Sequence, residues 1–250
     1  PIQREGNDMV RILDLNIESR NGERSTVLHP ALVCGDDGLV LVDAGYPGQA
    51  KRFAEAARRN GADLRDLRAI VITHHDYDHI GSLRALKTMF PDALVVSSAV
   101  ERDYISGAKR SLRLEQAERM LESLPEAERA GAIAFQKTLE SVESTPVDVT
   151  VADGDLLPYC GGVRIVATPG HMPGHISVFI ERERALISGD ALAAENGVLC
   201  MANPQYTLDM DAARRSVANL AEMDIDRVLC YHGGLVEGNI RAALTSMLSE

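Results

Sequence analysis

Residues 71–83, VITHHDYDHIGSL, place His74, His75, His79, Asp76 and Asp78 between two apolar stretches. Imidazole nitrogens and carboxylate oxygens are the donors that divalent metals take. More such donors recur along the chain: Asp43 in LVDAGYP, His171 and His175 in ATPGHMPGHIS, Asp190 in LISGDAL and His232 in LCYHGG. Each follows an apolar run, often beside a glycine. Metals held this way activate water and polarise carbonyls, so hydrolysis is the expected chemistry. No G-x-S-x-G nucleophile elbow offers a serine route instead.

For these donors to meet, the strands carrying them must end at one edge of a sheet. The patterning supplies such strands. VRILDLNI, TVLHPALVC, GLVLV, AIVIT and ALVVSS read as strands in the first half. GQAKRFAEAARRNG, stopped by Gly61, and SLRALKTMF, closed by Pro91, read as helices between them. Residues 100–145 are charged and strongly helical, with Pro125 opening the second of two helices. Leu114, Ala117, Leu121 and Leu124 form an apolar stripe there, expected to pack on the body, and the segment as a whole reads as an excursion covering a pocket. The second half returns to strands at DVTV, VRIVA, ISVFIE, ALISG and RVLCYH. Helices follow at DMDAARRSVANLAEM and near GNIRAALTSML. This order predicts an α/β or α+β sandwich with a duplicated architecture.

The 250 residues, 45% hydrophobic and 25% charged, suit one large globular domain, 1–250, or two merged halves. A net charge of -11 argues against nucleic acid as a partner, since that binding relies on Lys and Arg neutralising phosphates. No stretch reaches the ~20 apolar residues needed to cross a bilayer, and PIQREGNDMV does not read as a signal peptide. Cys34, Cys160, Cys200 and Cys230 lack C-x-x-C spacing and read as reduced thiols of a cytoplasmic protein. Cys230 is expected to fill the core behind His232.

Taken together, THHDYDHIG, VDAG, TPGHMPGH, SGD and YHG resemble the metallo-β-lactamase superfamily in kind and order. The resemblance implies an αβ/βα four-layer sandwich, two mixed β-sheets flanked by helices, with a helical insertion near 100–145. It implies two divalent metal ions at the edge between the sheets, Zn2+ first, with Mn2+ or Fe as alternatives. His74, Asp76 and His171 would hold one ion and Asp78, His79 and His232 the other, bridged by Asp190 and a hydroxide. Asp43 matches a carboxylate that fixes a ligand imidazole from behind. His75 and His175 match positions that support the site without ligating. The chemistry implied is cleavage of an ester, lactone or thioester bond of a small-molecule substrate by the bridging hydroxide, with Asp78 or Asp190 taking a proton. A homodimer is an assembly common in the family.

The family's usual cluster is H-x-H-x-D-H, whereas here Asp76 stands at the second histidine position. Ligation by His75 instead would spoil the spacing to Asp78 and His79. With Asp76 as ligand, three carboxylates and a hydroxide balance two divalent ions. That neutral centre should acidify its water less than an all-histidine one. Tyr206, in ANPQYT, is a candidate for polarising the substrate, and Met120, Leu124 and Phe135 for lining an acyl pocket. The basic C-terminal extension of glutathione thioesterases is not expected, because little chain follows His232. Three rivals stand: a diiron oxidoreductase, which also places a carboxylate at the Asp76 position but needs a flavin segment; a nucleic-acid processing member; and a metal-binding scaffold without activity.

Overall fold

A computed structural model describes residues 10–21 and 24–249, so the start of PIQREGNDMV lies outside the described residues. In chain order the first half contains β1 (Arg11–Asp14), β2 (Ile17–Asn21), β3 (Arg24–Leu28), β4 (Ala31–Gly35), β5 (Gly38–Val42) and α1 (Ala50–Arg59). It continues through β6 (Leu67–Val71), α2 (Tyr77–Ile80), α3 (Leu83–Met89), β7 (Leu94–Ser98) and α4 (Ala99–Ile105). The expected helical insertion is the pair α5 (Leu112–Ser123) and α6 (Glu126–Glu140), and β8 (Val149–Val151) closes this half. The second half contains β9 (Leu156–Leu157), β10 (Val163–Ala167), β11 (Ile176–Ile180), β12 (Ala185–Gly189), β13 (Leu192–Glu195), β14 (Val198–Met201), α7 (Met210–Ala221), β15 (Arg227–Cys230), β16 (Gly234–Glu237) and α8 (Ile240–Met247).

Each half builds one six-stranded mixed sheet. The first runs β1-β4-β5-β6-β7-β8, parallel from β5 onward; the second runs β16-β15-β12-β11-β10-β9, with β12 and β15 its parallel pair. Because side chains alternate across a strand, β5 sends Val40 and Val42 to one face and Leu39 and Leu41 to the other. The valine face joins Val33, Ala69 and Val71 against Ile165, Ile176, Val178 and Ile187 of the second sheet. The leucine face packs on Phe53 and Ala57 of α1 and Leu83 and Leu86 of α3. On the far side, Val217, Leu220, Ile240 and Leu244 of α7 and α8 cover Leu186, Val228 and Cys230. The result is the four-layer αβ/βα sandwich, and its central strands are apolar throughout because both faces are buried.

Two local readings differ from the pattern. TVLHPALVC is two strands, broken at His29 and Pro30, since proline brings no N–H to a ladder. VRILDLNI breaks between β1 and β2, where Asn16 takes a positive φ of 50°. AENGVLC, which carries no expectation above, forms the hairpin β13–β14 through Asn196 and Gly197. Their φ values of 52° and 77° are the left-handed pair that Asn-Gly favours. No helix among the described residues is long and apolar enough to cross a membrane.

Candidate metal centre

The cluster begins where β6 ends. His74 and His75 lie between β6 and α2, and Asp76 caps α2, its carbonyl accepting from His79 N and Ile80 N at 2.9 and 3.0 Å. Asp78 and His79 therefore sit on the first helical turn. The Asp76 carboxylate caps nothing and turns instead toward the imidazoles. His171 and Asp190 come from turns after β10 and β12, and His232 follows β15, all on the second sheet. The turn before Asp190 requires glycine: Gly189 has φ 52°, and a Cβ there would lie 2.8 Å from His175 Nε2 and 2.9 Å from a Thr73 methyl.

These donors converge in three overlapping groups: His74, Asp76 and His171; Asp78, His79 and His232; and His74, His79 and Asp190. Within each, the donor atoms lie no more than 4.8 Å apart. In the first cage, Asp76 Oδ2 is 3.0 Å from His171 Nε2 and 3.4 Å from His74 Nε2. In the second, Asp78 Oδ2 is 3.3 Å from His232 Nε2 and 3.9 Å from His79 Nε2. Asp190 reaches both, with Oδ2 3.5 Å from His171 and Oδ1 3.3 and 3.5 Å from His79 and His232. Ligand bonds near 2.0–2.1 Å at a tetrahedral angle would put donors roughly 3.3 Å apart. His74 Nε2, His79 Nε2 and Asp190 Oδ1 are buried with no hydrogen-bond partner among the described residues. Buried polar atoms are rarely left so, and a pair of divalent cations fits them.

The surrounding bonds orient the donors. Asp43 accepts from His79 Nδ1 at 2.9 Å and from Thr73 N and Oγ1, leaving His79 Nε2 as the bare nitrogen. Thr73 Oγ1 also lies 3.0 Å from His74 Nδ1. His175 stands behind the site: Thr168 Oγ1 is 2.8 Å from its Nδ1, and its Nε2 accepts from Asp190 N at 3.0 Å. Burial pushes the His175 pKa down to about 3, which suits an accepting, neutral ring. His75 also turns away from the cages, bonding the fully buried Glu101 and accepting from Leu112 N at 3.3 Å, with its ring stacked on Tyr104.

Electrostatically the donors are polarised toward their partners. Burial raises the Asp76 pKa, but bonds to His171 and His74 and the Arg113 charge outweigh it and hold the carboxyl well below its usual range. Asp190 is likewise held low, burial being overcome by His232 and His79. Burial disfavours a charged His232, yet Asp190 and Asp78 push its pKa up to about 10.

Above the donors opens a cavity of about 730 Å³. Its lining includes Asp78, Asp190 and His232, the aromatic rings of Tyr46, Tyr77, Phe135 and Tyr206, and apolar Leu192 and Met201. Tyr206 and Phe135 thus lie where the sequence suggested. Met120 and Leu124 are not among the lining residues, which corrects the acyl-pocket expectation for both. Helix α5 buries only Arg113 and Leu114, so its first turn faces the site and its later stripe does not. Arg113 is a residue the sequence reading missed: it lines the cavity, is 3% exposed and donates through Nε to Asp76 Oδ1 at 3.0 Å. In SLRLEQAERM nothing sets it apart from the other charges of the helix.

A profile described as the metallo-beta-lactamase superfamily matches residues 30–232. The probable metallo-hydrolase YflN of Bacillus subtilis is 30% identical over 228 residues, 84% of this chain and 81% of that protein. A coenzyme F420H(2) oxidase of Methanothermobacter marburgensis is 28% identical over 84% of this chain, which spans only 46% of it. The chain also spans less than two thirds of several other curated relatives. Among solved structures, a metallo-beta-lactamase family protein of Thermus thermophilus superposes with a TM-score of 0.73 at 22% identity, over 95% of this chain and 78% of that one.

Proposed function

The chain belongs to the metallo-beta-lactamase superfamily, and on that premise we propose that it is a dinuclear metal-dependent hydrolase of esters, lactones or thioesters. The observation that carries this reading is the pair of three-donor cages joined by Asp190, with bare buried nitrogens on His74 and His79. Two divalent cations, zinc first, would supply a Lewis acid and an activated water when bound. His74, Asp76 and His171 would hold one and Asp78, His79 and His232 the other. Asp78 and Asp190 border the cavity, as Asp76 does, and Asp78 or Asp190 would take a proton from an attacking water. Asp43 and His175 act behind them, one fixing the His79 ring and the other the Asp190 backbone.

The aromatic wall supports an acyl group as the occupant. Tyr77 meets Phe135 edge-on at 5.5 Å and lies tilted against Tyr46 at 5.2 Å, giving an apolar flank beside the donors. A cavity of about 730 Å³ suits a small molecule. The test is direct. Protein purified without added metal should carry two transition-metal ions per chain, and fewer than one would end the dinuclear reading. A series of aryl esters, lactones and thioesters should be cleaved faster as the acyl chain grows. Rates indifferent to acyl length would remove the apolar wall from the account. The carboxylate at Asp76, with the oxidase among the relatives, favours a second reading as an iron oxidoreductase. Oxygen consumption by the iron-reconstituted protein with a reduced flavin would separate the two.

A further inference from the structure

Arg113 carries a charge into the buried edge of the site, and such a charge is tolerated only when paired. Its pairing is with the first cage. Nε donates to Asp76 Oδ1 at 3.0 Å and reaches Oδ2 at 3.2 Å, while Nη2 bonds Asp76 Oδ2 and lies 3.2 Å from His171 Nε2. Nη1 bonds Gln116, and the guanidinium sits 5.4 Å from the Tyr206 ring centroid. The guanidinium thus engages two of the three donors of that cage. The Asp78 carboxylate of the other cage pairs with His79 and His232, and Arg113 is the single Arg or Lys among the described residues lining the cavity.

We propose that Arg113 is an internal cation competing with a divalent ion for the cage of His74, Asp76 and His171, so that the two cages fill in sequence, that of Asp78, His79 and His232 first. This rests on the dinuclear reading above. One lone pair on His171 Nε2 cannot serve both Nη2 and a metal at about 2.0 Å. Nη2 must therefore withdraw from His171 before the first cage can close. The Nε bond to Oδ1 is compatible with an ion on Oδ2, so Arg113 keeps its hold on Asp76 after the ion enters. The two cations also repel at close range. Helix α5 offers the arginine from a fixed base: Ser111 caps it, and Leu112 N donates to His75, which Glu101 clamps.

The experiment is a calorimetric titration of the metal-stripped full chain with Zn2+ alone. Wild-type protein should bind two ions in two steps, with affinities separated by about tenfold or more, the scale on which partners of metal ligands act. His232→Ala should remove the tight step and His171→Ala the weak one. Arg113→Met, which removes the repelling charge, should tighten the weak step by about tenfold and bring the two together. Two ions bound in a single step, a tight step lost in His171→Ala, or a weak step unmoved or weakened in Arg113→Met would each overturn the proposal while leaving a dinuclear centre. No zinc bound at all would overturn the hydrolase reading and this inference with it. If Arg113→Met does not fold, the wild-type isotherm and the two histidine variants still decide the order of filling.

Discussion

At the scale of single residues, Asp43 shows how much of the site rests on groups that face away from it. It sits at the end of β5 with φ 66° and binds Thr73 and His79 from behind. Asp43→Ala should free the His79 ring to rotate and lower zinc affinity by about 10–100-fold. Competition against a chromophoric chelator would measure this, and unchanged affinity would remove Asp43 from the site. The seven proposed donors and Asp43 stand out in the sequence because they lie in or just after short motifs that follow apolar runs and resemble those of a known superfamily. Arg113 does not. In SLRLEQAERM it looks like one more charge on a solvated helix, and its partner Asp76 lies 37 positions away. Only the fold brings such a pair together.

At the scale of elements, the strand ends and their turns set the geometry. Gly189 combines a left-handed backbone with no room for a Cβ. Gly189→Ala should destabilise the fold by about 1–3 kcal/mol from backbone strain, read as a lowered urea midpoint, and should displace Asp190. A midpoint equal to wild type would show that the turn relaxes freely. A second joint lies where α3, β7 and β8 meet. Asp148 accepts from Val95 N at 2.8 Å and Lys87 Nζ at 3.0 Å. Burial raises its pKa, but the Val95 bond and the Lys87 charge more than offset that, so the folded value lies below 3.8. A carboxyl depressed on folding contributes stability above its unfolded pKa and loses it as pH falls through the folded value. Asp148→Ala should therefore cost about 1 kcal/mol near neutrality, with the difference from wild type shrinking in acid-unfolding curves as pH falls below the ordinary carboxylate range. The central strands were legible as apolar runs. The break at Pro30 and the Asn196-Gly197 hairpin were written in turn residues that a hydrophobic reading passes over. The orientation of α5 was hidden because its buried face is opened by an arginine.

For the whole molecule, the division of labour between the halves matters most. His74, Asp76, Asp78 and His79 hang from the first sheet, and His171, Asp190 and His232 from the second. An ion in either cage would therefore be held by both. Binding to the folded state alone adds stability, about 2.7 kcal/mol at a hundredfold excess over the dissociation constant. The melting temperature should rise with added zinc and fall with chelator, and a midpoint indifferent to both would contradict a site formed only on folding. Each ion would then act as a rivet through the seam between two half-shells. Stripping it should loosen the rim long before the middle of either sheet, with hydrogen exchange quickening around residues 73–80, 169–175 and 189–192 while Val40, Ile70 and Val178 stay protected.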